Sequence, residues 1–134
     1  MEHMKLHHVG IVMTSWEHAN CFLEKFGLET DYADYAEAYH ADCLFTKHNL
    51  DETPIELVIP REGVLTSYNN GKGGIHHIAF EVDDVEAIRQ EYEGKGLKML
   101  EEKAVQGVGG IIVNFLRPRF GEGILVEFVQ KITE

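Results

Sequence analysis

The 134-residue chain is short of three things, and each shortage removes a class of protein. It has only two cysteines, Cys21 and Cys43, both in apolar surroundings and without CxxC spacing. A disulfide framework is therefore set aside in favour of reduced, packed thiols. It has no apolar run near the roughly 18 residues that cross a bilayer, and no basic-then-apolar leader, so the sequence reads as cytoplasmic, with no membrane partner. It is also poor in positive charge, with 12 Lys and Arg against 23 Asp and Glu for a formal net charge of −11. That balance argues against nucleic acid as a partner. The length suits one domain, residues 1–134, with a sizeable core.

What is present is a repeat. The stretch Gly74-Ile75-His76-His77-Ile78-Ala79-Phe80-Glu81-Val82 echoes Leu6-His7-His8-Val9-Gly10-Ile11-Val12-Met13, and residues 6–28 align without a gap on residues 75–97. Identities in that window are His7/His76, His8/His77, Glu17/Glu86, Glu24/Glu93, Gly27/Gly96 and Leu28/Leu97. Each copy then ends in a β-like run with one embedded carboxylate, Glu56 within Ile55-Glu56-Leu57-Val58-Ile59 and Glu127 within Leu125-Val126-Glu127-Phe128-Val129. The interval from His8 to Glu56 nearly equals that from His77 to Glu127. The chain is a duplication, with module one over residues 5–62 and module two over residues 74–131.

Within module one, alternation over residues 6–13 predicts a strand, with His8, Gly10 and Val12 on one face and His7, Val9 and Ile11 on the other. Thr14-Ser15-Trp16-Glu17 has the form of a capping box, and Trp16, Ala19, Leu23 and Phe26 recur at helical spacing until Gly27. Residues 28–35, 38–47 and 55–59 read as strands. The joint, residues 61–73, is polar and rich in glycine toward its end. Module two repeats the order, with a strand at 75–82, a helix begun by Asp83-Asp84-Val85-Glu86, and strands at 97–105, 111–116 and 124–129. Trp16, Phe22, Phe26, Tyr92 and Phe128 are expected in the core, and His18 and His48 in solvent. Each half is β-α-β-β-β and cannot bury both faces of its own sheet, so the two must pair.

A carboxylate embedded in a hydrophobic strand is costly unless it meets a cation, a hydrogen-bond donor or water. Two such carboxylates and two histidines at repeated positions can converge on one point. They would make a mixed nitrogen and oxygen site for one divalent metal ion such as cobalt, nickel, manganese or zinc. Only one histidine of each pair can face that site, and parity alone leaves open which.

The duplication, His8 and His77 within HHVGI and HHIAF, Glu56 within IELVIP and Glu127 within ILVEF together resemble the vicinal-oxygen-chelate superfamily over essentially the whole chain. The resemblance implies an α+β fold of two β-α-β-β-β modules paired into an eight-stranded, cup-shaped mixed sheet with helices outside. It also implies that the second histidine of each pair binds the metal, giving His8, Glu56, His77 and Glu127 as ligands. Within the superfamily, the residues from Gly73 to Val85, Gly107-Val108-Gly109-Gly110, Asn114-Phe115-Leu116-Arg117-Pro118 and Gly123-Ile124-Leu125-Val126-Glu127 are most similar to the methylmalonyl-CoA epimerase family. That family commonly has histidine where Arg117 stands and lysine where Arg119 stands.

A metal in this setting polarises a carbonyl and eases removal of the neighbouring C–H proton as an enolate forms. The resemblance makes Glu127 both a ligand and the catalytic base, and implies an acyl-CoA substrate and a homodimer. Epimerisation needs a second proton donor, for which His40, Asp42 and Glu56 are the candidates. Arg117 and Arg119 could hold a phosphate or carboxylate, and the loop 106–110 could close on a substrate oxygen. Two alternatives stand beside the epimerase: a glyoxalase I-type lactoylglutathione lyase using the same donor set, and a non-catalytic, resistance-type binding protein.

Overall fold

A computed structural model describes residues 3–132. Its strands form one eight-stranded mixed sheet in the order β2 (Thr30–Ala36), β3 (Ala41–Thr46), β4 (Ile55–Pro60), β1 (Lys5–Val12), β5 (Gly74–Glu81), β8 (Val126–Lys131), β7 (Ile111–Leu116) and β6 (Val105–Gln106), accompanied by two α-helices. Contacts divide the chain into two compact units, one spanning His8–His76 and the other joining the residues through His7 to those from His77 onward.

The first unit is built on β1 (Lys5–Val12), α1 (Trp16–Phe26), β2 (Thr30–Ala36), β3 (Ala41–Thr46) and β4 (Ile55–Pro60). β1 runs parallel to β4, while β2, β3 and β4 form an antiparallel ladder. Helix α1 starts at Ser15, whose hydroxyl accepts from the His18 N–H at 3.0 Å, and stops at Gly27, which is left-handed at φ 65°. The cap is thus Ser15 rather than Thr14. The His18 ring completes a reciprocal pair, because its Nδ1 accepts from the Thr14 N–H at 3.3 Å. An imidazole does here what Glu17 was expected to do, and His18 is a capping residue rather than a purely solvated one.

Ala19 and Leu23 of α1 pack against Met13, Leu44, Leu57 and Ile59, with Ile11, Phe22, Leu28 and Ile55 at the margin. This cluster assigns the faces. Ile11, Leu44, Ile55, Leu57 and Ile59 point toward the helix, so the intervening His8, Phe45, Glu56 and Val58 point away from it. Three expectations fail along α1. Trp16 is 41% exposed and Phe26 is 60% exposed, because the apolar stripe overhangs the sheet at both helix termini. Cys21, two positions past the inward Ala19, is on the outer side and exposed, whereas Cys43 is buried as expected.

The second unit repeats the plan with β5 (Gly74–Glu81), α2 (Val85–Gly94), β6 (Val105–Gln106), β7 (Ile111–Leu116) and β8 (Val126–Lys131). Asp84 caps α2 by accepting from the Ala87 N–H at 3.0 Å. Val85, Met99, Leu116 and Phe128 form its buried cluster, joined by Phe80, Val82, Ile88 and Tyr92. By the same alternation His77, Phe115 and Glu127 point away from α2.

The strand expected over residues 97–105 is the largest difference from the sequence reading. Only β6 and an isolated bridge from Met99 to Leu116 are present there. Between them the buried Asn114 side chain replaces a rung of the ladder. Its Oδ1 accepts from the Glu101 N–H and its Nδ2 donates to the Glu101 carbonyl, each at 3.0 Å. An amide that satisfies both backbone groups removes the need for a continuous strand.

The joint between the repeats is tied rather than loose. The Tyr68 hydroxyl donates to the Ile75 carbonyl at 2.6 Å, and Asn69 Nδ2 donates to the Gly73 carbonyl at 2.7 Å. Gly73 is required there, since its φ is 72° and a Cβ would collide with the Val12 carbonyl oxygen.

Candidate metal centre

Each unit carries one buried histidine–glutamate pair. In the first, His8 Nε2 lies 3.3 Å from Glu56 Oε1. In the second, His77 Nε2 lies 3.3 Å from Glu127 Oε1. The four side chains are buried, and Glu56 and Glu127 are the buried carboxylates among the described residues. Strand pairing puts them there. Gly10 is opposite Glu56 in the parallel β1–β4 pair, two residues from His8 on the same face. Ala79 is opposite Glu127 in the β5–β8 pair, two residues from His77 on the same face. Chain duplication has therefore produced the same local geometry twice.

The donor set fits a divalent ion. Two donors bound at about 2.1 Å to one ion, at tetrahedral or octahedral angles, stand about 3.0–3.4 Å apart, the separation each pair shows. Imidazole with carboxylate suits the zinc, nickel, cobalt and manganese range. Two buried carboxylates also need positive charge close by, which an ion would supply.

The walls of each pair were not anticipated from the sequence. Phe45 meets His8 edge-on, with ring centroids 5.1 Å apart and planes at 88°. Phe115 meets His77 in the same way, at 5.3 Å and 88°. Each phenylalanine is the ladder partner of its unit's glutamate, Phe45 of Glu56 and Phe115 of Glu127. These rings hold the imidazoles in place and exclude water from one side. The available signal was the Phe in Cys43-Leu44-Phe45-Thr46 and in Val113-Asn114-Phe115-Leu116, each one strand before the glutamate.

The other histidine of each pair points to the opposite face by alternation, and His76 packs edge-on to Tyr68 at 4.8 Å. Two of the three candidate proton donors are not beside Glu56. Asp42 projects to the helix side of β3, where its carboxylate accepts from the Trp16 indole N–H at 3.1 Å and from Arg61 Nη2 at 2.7 Å. The Arg61 hydrogen bond holds that carboxyl below its usual range. His40 is in the β2–β3 turn, next to Ala41, whose ladder partner Pro60 is four residues past Glu56. Its Nδ1 faces Glu62 at 3.6 Å and the Tyr35 hydroxyl at 3.4 Å. Arg117 Nε donates to the Met99 carbonyl at 3.2 Å, and the Arg119 guanidinium lies 4.9 Å from the centre of the Phe120 ring. Loop 106–110 is a tight hairpin closed by the Gly107 N–H on the Ile111 carbonyl at 2.9 Å.

Comparison with known proteins places the chain in a family. Residues 7–115 match the profile of the glyoxalase/bleomycin resistance protein/dioxygenase superfamily. The chain belongs to that superfamily. It is 31% identical over 131 residues to the mitochondrial methylmalonyl-CoA epimerase of Homo sapiens, covering 94% of this chain and 73% of that one. It is 32% identical over 132 residues to the ethylmalonyl-CoA/methylmalonyl-CoA epimerase of Cereibacter sphaeroides, covering 94% and 97%. Within the superfamily it is a member of the methylmalonyl-CoA epimerase family, and so an epimerase-type enzyme. Among solved structures, a hypothetical protein from Bacillus halodurans superposes with a TM-score of 0.84 at 30% identity, over 99% of this chain and 98% of that one. Streptomyces coelicolor methylmalonyl-CoA epimerase in complex with 2-nitronate-propionyl-CoA shares the fold, with a TM-score of 0.87 at 23% identity over 98% of this chain and 100% of that one. No helix among the described residues is long and apolar enough to cross a membrane.

Proposed function

We propose that this chain is a divalent-metal-dependent methylmalonyl-CoA epimerase, with His8, Glu56, His77 and Glu127 holding a single ion and Glu127 acting as the catalytic base. The observation that carries the reading is the repeated buried His–Glu pair with its 3.3 Å spacing in both units. When bound, the ion supplies Lewis-acid polarisation of the thioester carbonyl, which lowers the barrier to losing the neighbouring proton.

The chain's own residues do the rest. His8 and His77, fixed by Phe45 and Phe115, keep one ring nitrogen aimed at the glutamate of their unit. Glu127 takes the proton from C2 of the acyl group, and buried surroundings keep its carboxylate from being spent on water. Return of a proton to the other face inverts C2. With Asp42 committed to Arg61 and Trp16, and His40 turned toward Glu62, Glu56 is the donor this chain offers for that step, provided it lets go of the ion and carries a proton drawn from solvent, while Glu127 later returns its proton to solvent. In the cell we infer a cytoplasmic homodimer acting on an acyl-CoA. A glyoxalase I-type lyase would use the same donor set, but the epimerase relatives favour C2 inversion.

The test is interconversion of the two C2 epimers of methylmalonyl-CoA, followed by chiral chromatography, alongside metal analysis. The reading predicts one ion per chain and inversion that stops with chelator and returns with metal. Two ions per chain would put one ion in each pair. Inversion unaffected by thorough chelation would remove the metal from the reaction, and turnover of the methylglyoxal–glutathione adduct in its place would move the chain to the lyases.

A further inference from the structure

Tyr32 lies on the same face as the His8–Glu56 pair. It is the ladder partner of Phe45 across β2 and β3, and Phe45 is in turn the partner of Glu56 across β3 and β4. Directly opposed residues on neighbouring strands project to one side, so Tyr32, Phe45 and Glu56 stand in a row. The Tyr32 ring stacks on Phe45, with centroids 5.1 Å apart and planes at 26°, and the Phe45 edge meets His8. This aromatic shelf ends in a phenol that is 36% exposed. Among the described residues its hydroxyl makes no hydrogen bond.

Among the described residues, the second unit has no equivalent group. Opposite Phe115 stands Leu100, whose N–H donates to the Phe115 carbonyl at 2.7 Å and whose side chain is apolar. Duplication produced two alike metal-binding halves, and Tyr32 makes one of them different. A substrate with distinct ends needs such a difference to bind one way round.

We propose that Tyr32 positions the substrate, its phenolic O–H donating a hydrogen bond to a carboxylate or thioester oxygen of an acyl-CoA seated beside the His8–Glu56 pair. The inference rests on the epimerase reading above. Burial, with added repulsion from Asp31 and Glu56, pushes the phenol up to about 12, so it stays protonated and a donor throughout the physiological range. A neutral donor of this kind orients an anionic ligand without adding positive charge that would compete with a metal ion.

The test is Tyr32→Phe, which keeps the stacked ring and removes only the hydroxyl. Metal-loaded wild type and variant are compared for kcat and KM on methylmalonyl-CoA. Their affinities for methylmalonyl-CoA and for propionyl-CoA, which lacks the free carboxylate, are measured by calorimetry. The proposal predicts affinity for methylmalonyl-CoA about tenfold weaker in the variant, with melting temperature and metal content unchanged. Loss confined to methylmalonyl-CoA assigns the carboxylate as acceptor, and equal loss for both ligands assigns the thioester oxygen. Unchanged affinity and KM in Tyr32→Phe would overturn the positioning role while an active wild type kept the epimerase reading intact. A wild type that neither binds nor turns over methylmalonyl-CoA would overturn both.

Discussion

If four buried side chains hold one divalent ion, that ion stabilises the fold by mass action, and the size of the effect can be worked out. A ligand at 100 times its Kd adds about 2.7 kcal/mol to the folded state. A chain of 134 residues has an unfolding entropy of about 280 cal/mol/K, taking about 2.1 cal/mol/K per residue. Metal should therefore raise Tm by about 10 °C over chelated protein. Glu56 is 8% exposed and its oxygen is 3.3 Å from His8, so Glu56→Gln replaces a charged carboxylate oxygen with a weaker, neutral amide oxygen without changing shape. A site weakened about a hundredfold retains about 0.4 kcal/mol at the same metal concentration, which moves Tm by less than about 2 °C. The metal-free variant should be no less stable than metal-free wild type, because a buried charge has been replaced by a neutral amide. Scanning calorimetry with cobalt, nickel, manganese or zinc, and with chelator, reads all four states. The reasoning fails if no ion moves the wild-type Tm, or if Glu56→Gln shifts as far as wild type.

Phe45→Ala and Phe115→Ala each empty a buried position beside a candidate ligand. Each should cost about 3–5 kcal/mol in denaturant unfolding and weaken metal binding at least tenfold, and a variant losing stability alone would take the imidazole-holding role away from the ring. Asp42→Asn should cost about 1 kcal/mol at neutral pH, since Arg61 is mostly exposed and the pair is partly screened. The folded carboxyl is held low, so this stability is present above the ordinary carboxylate range and is lost as pH falls through the folded value. Urea titrations of wild type and Asp42→Asn should converge in acid, and a constant gap down to pH 2 would contradict that cause.

Much of the site was legible because the repeat carried it. Period-two alternation put the two histidines of each pair on opposite faces without saying which faced the site, the family resemblance chose His8 and His77, and α1 and α2 pack on the faces away from those two. What was not legible depends on partners distant in sequence. Phe45 and Phe115 read as ordinary strand residues until the β3–β4 and β7–β8 registers set them beside the glutamates. Tyr32 sits past a register shift between Thr30 and Tyr32, which breaks the simple count that would have given its face. Asp42 looked available until Arg61 and Trp16 were seen to hold it. Asn114, a polar residue in an apolar run, gave no sign that it substitutes for a rung of the sheet.

The central claim is that Glu127 removes the proton at C2 with the aid of a bound metal. Solvent-deuterium uptake into methylmalonyl-CoA, followed by mass spectrometry, tests it most directly when metal-loaded wild type is set beside Glu127→Gln with its ion content measured. The account predicts rapid uptake by wild type, none with chelator, and uptake lowered at least a hundredfold in Glu127→Gln when the variant is saturated with metal. Uptake by metal-saturated Glu127→Gln at the wild-type rate would contradict it.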